Sequence, residues 1–124
     1  MQNELINIGH TILKEYNIEG IKISFKEIRK GWSSLKGNIS IPLWAINKGL
    51  YSQDIQGKYF ALYYVIHEVV HQIIYKQYKT FKHTKEFKDL EISLLARYNI
   101  IPKYSRAYPK ALYNREGSLL YQRT

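Results

Sequence analysis

The chain has 124 residues, no cysteine, 45% hydrophobic and 23% charged residues, and a net charge of +9. That length fits one domain with its own core, and the balance of apolar and charged residues is that of a folded chain rather than a disordered one. Without cysteine, disulfide scaffolds, Cys-ligated zinc, iron–sulfur centres and thiol catalysis are excluded, so any metal must sit on His, Asp or Glu.

Residues 3–16 read as a helix capped by Asn3, with Leu5, Ile8, Ile12 and Leu13 on one face. Past Gly20, Ile21, Ile23 and Phe25 alternate with Lys22, Ser24 and Lys26, the pattern of a half-buried strand. A second extended piece is expected within 27–34, beyond Gly31. A third strand opens at Gly37 and carries Ile39 and Ile41 on one face. Pro42 cannot donate to a ladder, so that strand ends there or lies at a sheet edge. Residues 43–56 look irregular, punctuated by Gly49 and Gly57.

The longest periodic segment runs from about Lys58 to Tyr78, with Leu62, Val65, Ile66, Val69, Ile73 and Ile74 at three- and four-residue steps and no Gly or Pro. It is expected to be the central helix. Thr84 can cap a further helix ending near Arg97, with Phe87, Leu90, Leu94 and Leu95 as its apolar stripe. Beyond Pro102 lies a basic, Tyr-rich tail. Its Leu119-Leu120-Tyr121 can form a terminal strand or short helix. No apolar run approaches the roughly 18 residues of a membrane span, and the N-terminus lacks the layout of a secretory signal. The expected setting is therefore soluble and cytoplasmic.

The central helix contains His67-Glu68-Val69-Val70-His71. Histidines at i and i+4 share a face, so both imidazoles can reach one ion. Glu68 is turned about 100° from His67 around the helix, beside such an ion rather than on it. There a carboxylate can take a proton from water that the ion has activated and pass it to a leaving amine. One Zn²⁺ suits neutral imidazole nitrogen, and a catalytic zinc needs a third protein ligand and an open position. His83, twelve residues after His71, is within reach, and Glu86, Asp89 and Glu91 are rivals. The remaining histidine, His10, has no partner at ligand spacing and reads as structural or exposed.

These residues carry a resemblance. His67-Glu68-Val69-Val70-His71 followed by His83-Thr84-Lys85-Glu86-Phe87-Lys88 resembles the HExxH…HxxxF arrangement of SprT-like, WLM and YgjP-like metallopeptidases, whose small stand-alone forms are the minigluzincins. Upstream, Gly31-Trp32-Ser33-Ser34-Leu35-Lys36-Gly37-Asn38-Ile39-Ser40-Ile41 is similar to the Trp-Gly-Ser-Cys and Gly-x-Ile-x-Leu stretch of that family. The likeness spans roughly residues 20–97. It departs at Ser33-Ser34-Leu35, at Thr84, where Gly or Ser is common, and in the absence of a Cys-bearing zinc ribbon over 98–124.

The resemblance implies an α+β, minimal zincin-like domain over residues 1–99, with about three helices on a small three-stranded mixed sheet, and a C-terminal tail over 100–124. It implies a zinc endopeptidase with His67, His71 and His83 as ligands of one ion and Glu68 as general base and acid. The strand around Asn38–Ile41 would be the upper edge of the cleft, where an extended peptide substrate can add as a strand. The tail would block the cleft and keep the enzyme latent; the other reading is that residues 117–122 extend the sheet or pack on the helices.

Two functions stand beside the peptidase. Basic stretches at 22–36 and 100–124, each summing to +4 and interleaved with aromatic residues, can bind a nucleic-acid backbone, giving a DNA-associated protein that acts on DNA-bound proteins. The same charge can simply keep the chain soluble. The third function is a non-catalytic metal-binding module. No membrane partner is expected, and the tail allows either a monomer or a tail-swapped dimer.

Overall fold

The computed structural model describes residues 1–47, 58–105 and 108–123. In chain order these form α1 (Gln2–Glu15), β1 (Lys22–Lys26), β2 (Trp32–Ser33), β3 (Asn38–Pro42), α2 (Trp44–Asn47), α3 (Lys58–Tyr78), α4 (Lys85–Arg97), β4 (Ile101–Ser105), β5 (Tyr108–Tyr113) and β6 (Leu119–Gln122). The α+β class holds. The described residues contain four helices rather than about three, and a second sheet follows the first. The extra helix is the single turn Trp44–Asn47, inside the stretch expected to be irregular; Gly49 and Gly57 lie outside the described residues.

Helix α3 spans the range its periodicity predicts, and nearly all of it from Phe60 to Ile74 is buried, on every face. A helix apolar all round must be wrapped by the rest of the chain, and α1, α2, α4, β2, β3 and β6 all pack against it. Helix α1 sends Leu5, Ile12 and Leu13 into this core. Its N-cap is Met1, not Asn3: the backbone N–H of Leu5 already bonds the Met1 carbonyl at 3.1 Å, which draws Asn3 into the first turn.

The first sheet is mixed, in the order β1-β3-β2, with β1 parallel and β2 antiparallel to β3. This overturns the expectation that the strand around Asn38–Ile41 forms the cleft edge. Ile39 and Ile41 are fully buried, and pairing on both sides makes β3 the middle strand. Pro42 is tolerated because it closes the strand, the next backbone N–H, that of Leu43, returning to the Lys26 carbonyl at 2.8 Å. The edge towards α3 is β2. Gly31 allows that approach: a Cβ there would stand 2.4 Å from the Tyr64 ring, while its backbone N–H donates to the Tyr64 hydroxyl at 2.9 Å.

The C-terminal segment folds as an antiparallel meander, β4-β5-β6. Leu112 and Tyr121 belong to the same core as α3, and the Tyr121 ring lies 4.6 Å from that of Phe60. The segment thus packs on the helices, the second of the two readings its sequence allows. No described helix is long and apolar enough to cross a membrane.

Candidate metal centre

His67 and His71 lie one turn apart on α3, and His83 sits in the connection just before α4. The Thr84 hydroxyl accepts from the Phe87 backbone N–H at 3.3 Å, so the residue after His83 is pinned as the N-cap of α4. The His83 Nε2 atom stands 3.3 Å from Nε2 of His67 and 3.2 Å from Nε2 of His71. Phe87 wedges beneath the cluster with its ring centroid 5.0, 4.5 and 4.9 Å from those of His67, His71 and His83. Two imidazole nitrogens at the ordinary Zn–N distance of about 2.0–2.1 Å in tetrahedral geometry would be about 3.3 Å apart, so the donor set fits such an ion.

The protonation chemistry agrees with that fit. The His67 Nδ1–H donates to Glu91 Oε2 at 2.5 Å, which leaves Nε2 as the nitrogen facing the cluster. Burial pulls the His67 ring down, but its hydrogen bond and attraction to Glu91, with Glu68 nearby, outweigh this and raise its pKa. His71 is driven down to about 3 by burial and by its two histidine neighbours, so it stays neutral. His83 is lowered too, by burial first and then by the charges of His67 and Lys88, against the attraction of Glu91.

Glu68 is 4% exposed and takes no place among the converging nitrogens. The Ser33 hydroxyl, from edge strand β2, stands 2.8 Å from the Glu68 carbonyl oxygen and 3.1 Å from its Oε1. Burial raises the Glu68 pKa, against the pull of His67 and the Ser33 hydrogen bond. A cavity of about 420 Å³ opens over this face, lined among others by Trp32, Ser33, Tyr63, Glu68, Phe81 and the three histidines. A second cavity, about 450 Å³, lies on the α4 side between His67, His83, Phe87, Ile92 and Tyr104.

Of the rivals to His83, Glu86 is exposed in the first turn of α4, and Asp89 pairs with Lys85 at 2.8 Å. Glu91 supports His67 from behind. His10 is exposed on α1. Among the described residues, His67, His71 and His83 are the one group of three or more potential ligands that converge. Sequence reasoning had no role for Ser33, although it lies in the quoted 31–41 stretch, and none for Tyr104, which carries no sequence signal. Phe87 appeared there only as stripe and motif.

No protein-family model, curated protein or solved structure matches the chain.

Proposed function

We propose that the chain is a zinc-dependent endopeptidase. The observation that carries this reading is the convergence of three imidazole nitrogens, His67, His71 and His83, beside a buried Glu68 carboxylate that lines the same cavity. His67, His71 and His83 would hold a divalent cation, which would supply Lewis-acid activation of water and of a carbonyl oxygen. In this reading Glu68 takes the proton of the attacking water and delivers it to the departing amine as the C–N bond breaks. Ser33 holds the carboxylate towards that position through Oε1. Among the described residues β2 pairs on one side only, and in this reading its other side takes an extended substrate, which presents a peptide bond along the cavity. Edge pairing is thus assigned to Trp32–Ser33 rather than to Asn38–Ile41.

Latency through the C-terminal segment is a separate proposal. It requires that segment to occupy the cavity over Glu68. Among the described residues of 101–123 none lines that cavity, and Tyr104 lines the cavity on the α4 side.

The test is metal analysis together with peptide hydrolysis. Purified chain is expected to hold one zinc and to cleave an unstructured protein, with activity lost to a chelator and regained on adding zinc. A zinc-loaded, folded chain that cleaves neither casein nor a peptide library would leave a metal-binding module and sink the peptidase.

A further inference from the structure

Glu91 is 3% exposed and uses both carboxylate oxygens. Oε2 accepts from His67 Nδ1 at 2.5 Å, and Oε1 accepts from the Tyr104 hydroxyl at 2.6 Å. Tyr104 comes from β4, a strand whose residues are otherwise exposed or half-buried, and it is itself 39% exposed. Its phenol therefore reaches inward from the surface to meet a buried carboxylate. A glutamate has three side-chain torsions, and one hydrogen bond to an imidazole leaves it free to swivel. A second anchor on the other oxygen removes that freedom and fixes the plane in which His67 is held.

We infer that Tyr104 is a positioning residue for the metal centre: through Glu91 it aims His67, and so couples metal loading to docking of the strand Ile101–Ser105 on α4. Coupling of this kind is reciprocal. Whatever Tyr104 adds to metal affinity, bound metal adds to the docking of β4. A C-terminal segment expected only to cover or flank the site thus becomes part of its support. The inference rests on the metal-centre reading and not on peptidase activity.

The experiment uses the full chain and zinc itself. Chelator competition should show Tyr104→Phe, which keeps the ring, weakening zinc binding by about 3- to 10-fold. Glu91→Gln should weaken it by about 10- to 100-fold, as for other groups behind a ligating histidine. The cobalt-substituted protein should show a shifted visible band in both variants, a readout that loss of packing elsewhere would not move. Zinc should also slow backbone amide exchange over 101–105 in the parent chain, and less so in Tyr104→Phe. A folded Tyr104→Phe protein that binds zinc as tightly as the parent overturns the inference. So does exchange over 101–105 that zinc leaves unchanged, and this measurement on the parent decides the matter if the variant does not fold. A parent chain that binds no zinc at all overturns the metal centre, and this inference with it.

Discussion

Glu68 and Glu91 both act on the same histidine, His67, and they differ in how many of their oxygens are already engaged. Both are buried, and both accept a hydrogen bond from a hydroxyl on a strand: Ser33 on β2 for Glu68, Tyr104 on β4 for Glu91. Glu91 spends its second oxygen on His67. Glu68 spends only Oε1, and among the described residues nothing bonds its other oxygen, which belongs to a side chain lining the cavity beside the edge strand. A buried carboxylate with both oxygens satisfied holds other groups in place. One with an oxygen to spare can exchange protons with something that enters. Residue type and burial are the same; saturation of the lone pairs separates support from chemistry.

The comparison breaks most sharply on two isosteric changes. Glu68→Gln should keep the metal and lower kcat/KM by about 10²- to 10⁴-fold, the usual share of a proton-transferring group. Glu91→Gln should show the reverse emphasis, with metal affinity falling first and activity restored by excess zinc. His67→Ala should lose both. Metal content and steady-state kinetics on the same preparations check all three, and a fully active Glu68→Gln protein would reverse the roles assigned to the two glutamates.

Removing residues 100–124 takes away the Tyr104 side entirely. It also takes Leu112 and Tyr121 out of the core and uncovers Phe60. Loss of a large buried side chain typically costs about 3–5 kcal/mol, so the shortened chain should lose its cooperative thermal transition. A truncated protein that stays folded, binds zinc and hydrolyses peptides faster would instead make the segment an inhibitor.

Ser33→Ala sharpens the Glu68 side. The Ser33 hydrogen bond draws the Glu68 pKa down against burial. Without it the pKa rises further, so the acidic limb of the kcat/KM profile should move to higher pH, with zinc affinity unchanged. The metal-free chain should show the histidines diverging. His71 stays neutral down to about 3, so its share of stability is present above 6.5 and is lost as pH falls from 6.5 towards that value. His67 is raised, so its share is present below 6.5 and is lost as pH rises through its folded value. Near neutrality His71 is already neutral, so zinc uptake should release no proton from it, which calorimetry in buffers of different ionisation heat can check.

Much of this was legible in the sequence wherever a period or a spacing was long enough to bind the chain to one outcome. The span of α3 and the Thr84 cap follow from uninterrupted periodicity and a capping residue, whereas spacing left Glu86, Asp89 and Glu91 beside His83 as third partner of His67 and His71, and the resemblance singled out His83, which the fold brings to them. The position of β3 in the middle of its sheet did not follow, because a short alternating strand shows which face is buried but not which strands flank it. The Tyr104–Glu91 contact was equally hidden. It joins residues 13 apart across a helix end and a strand, and one tyrosine among twelve carries no pattern. The resemblance pointed to a single sheet and a tail, whereas the tail's own apolar residues, Leu112 and Tyr121, were enough to build a second sheet against α3.

The smallest expected effect tests whether support of the third ligand is local. His83 lies in no helix or strand, so its position depends on the start of α4. Thr84→Ala removes the hydroxyl that accepts from the Phe87 N–H, a loss of about 1 kcal/mol for a typical cap. The first turn of α4 would then fray, and with it both His83 and the Phe87 ring that separates the imidazoles from the core. Zinc affinity should drop by a few-fold along with the modest fall in melting temperature, whereas Thr84→Ser, which keeps the acceptor, should restore both. If Thr84→Ala lowers stability by that amount while zinc affinity stays at the parental value, His83 is held by Phe87 packing alone, and the metal centre rests on its buried wedge rather than on the helix cap.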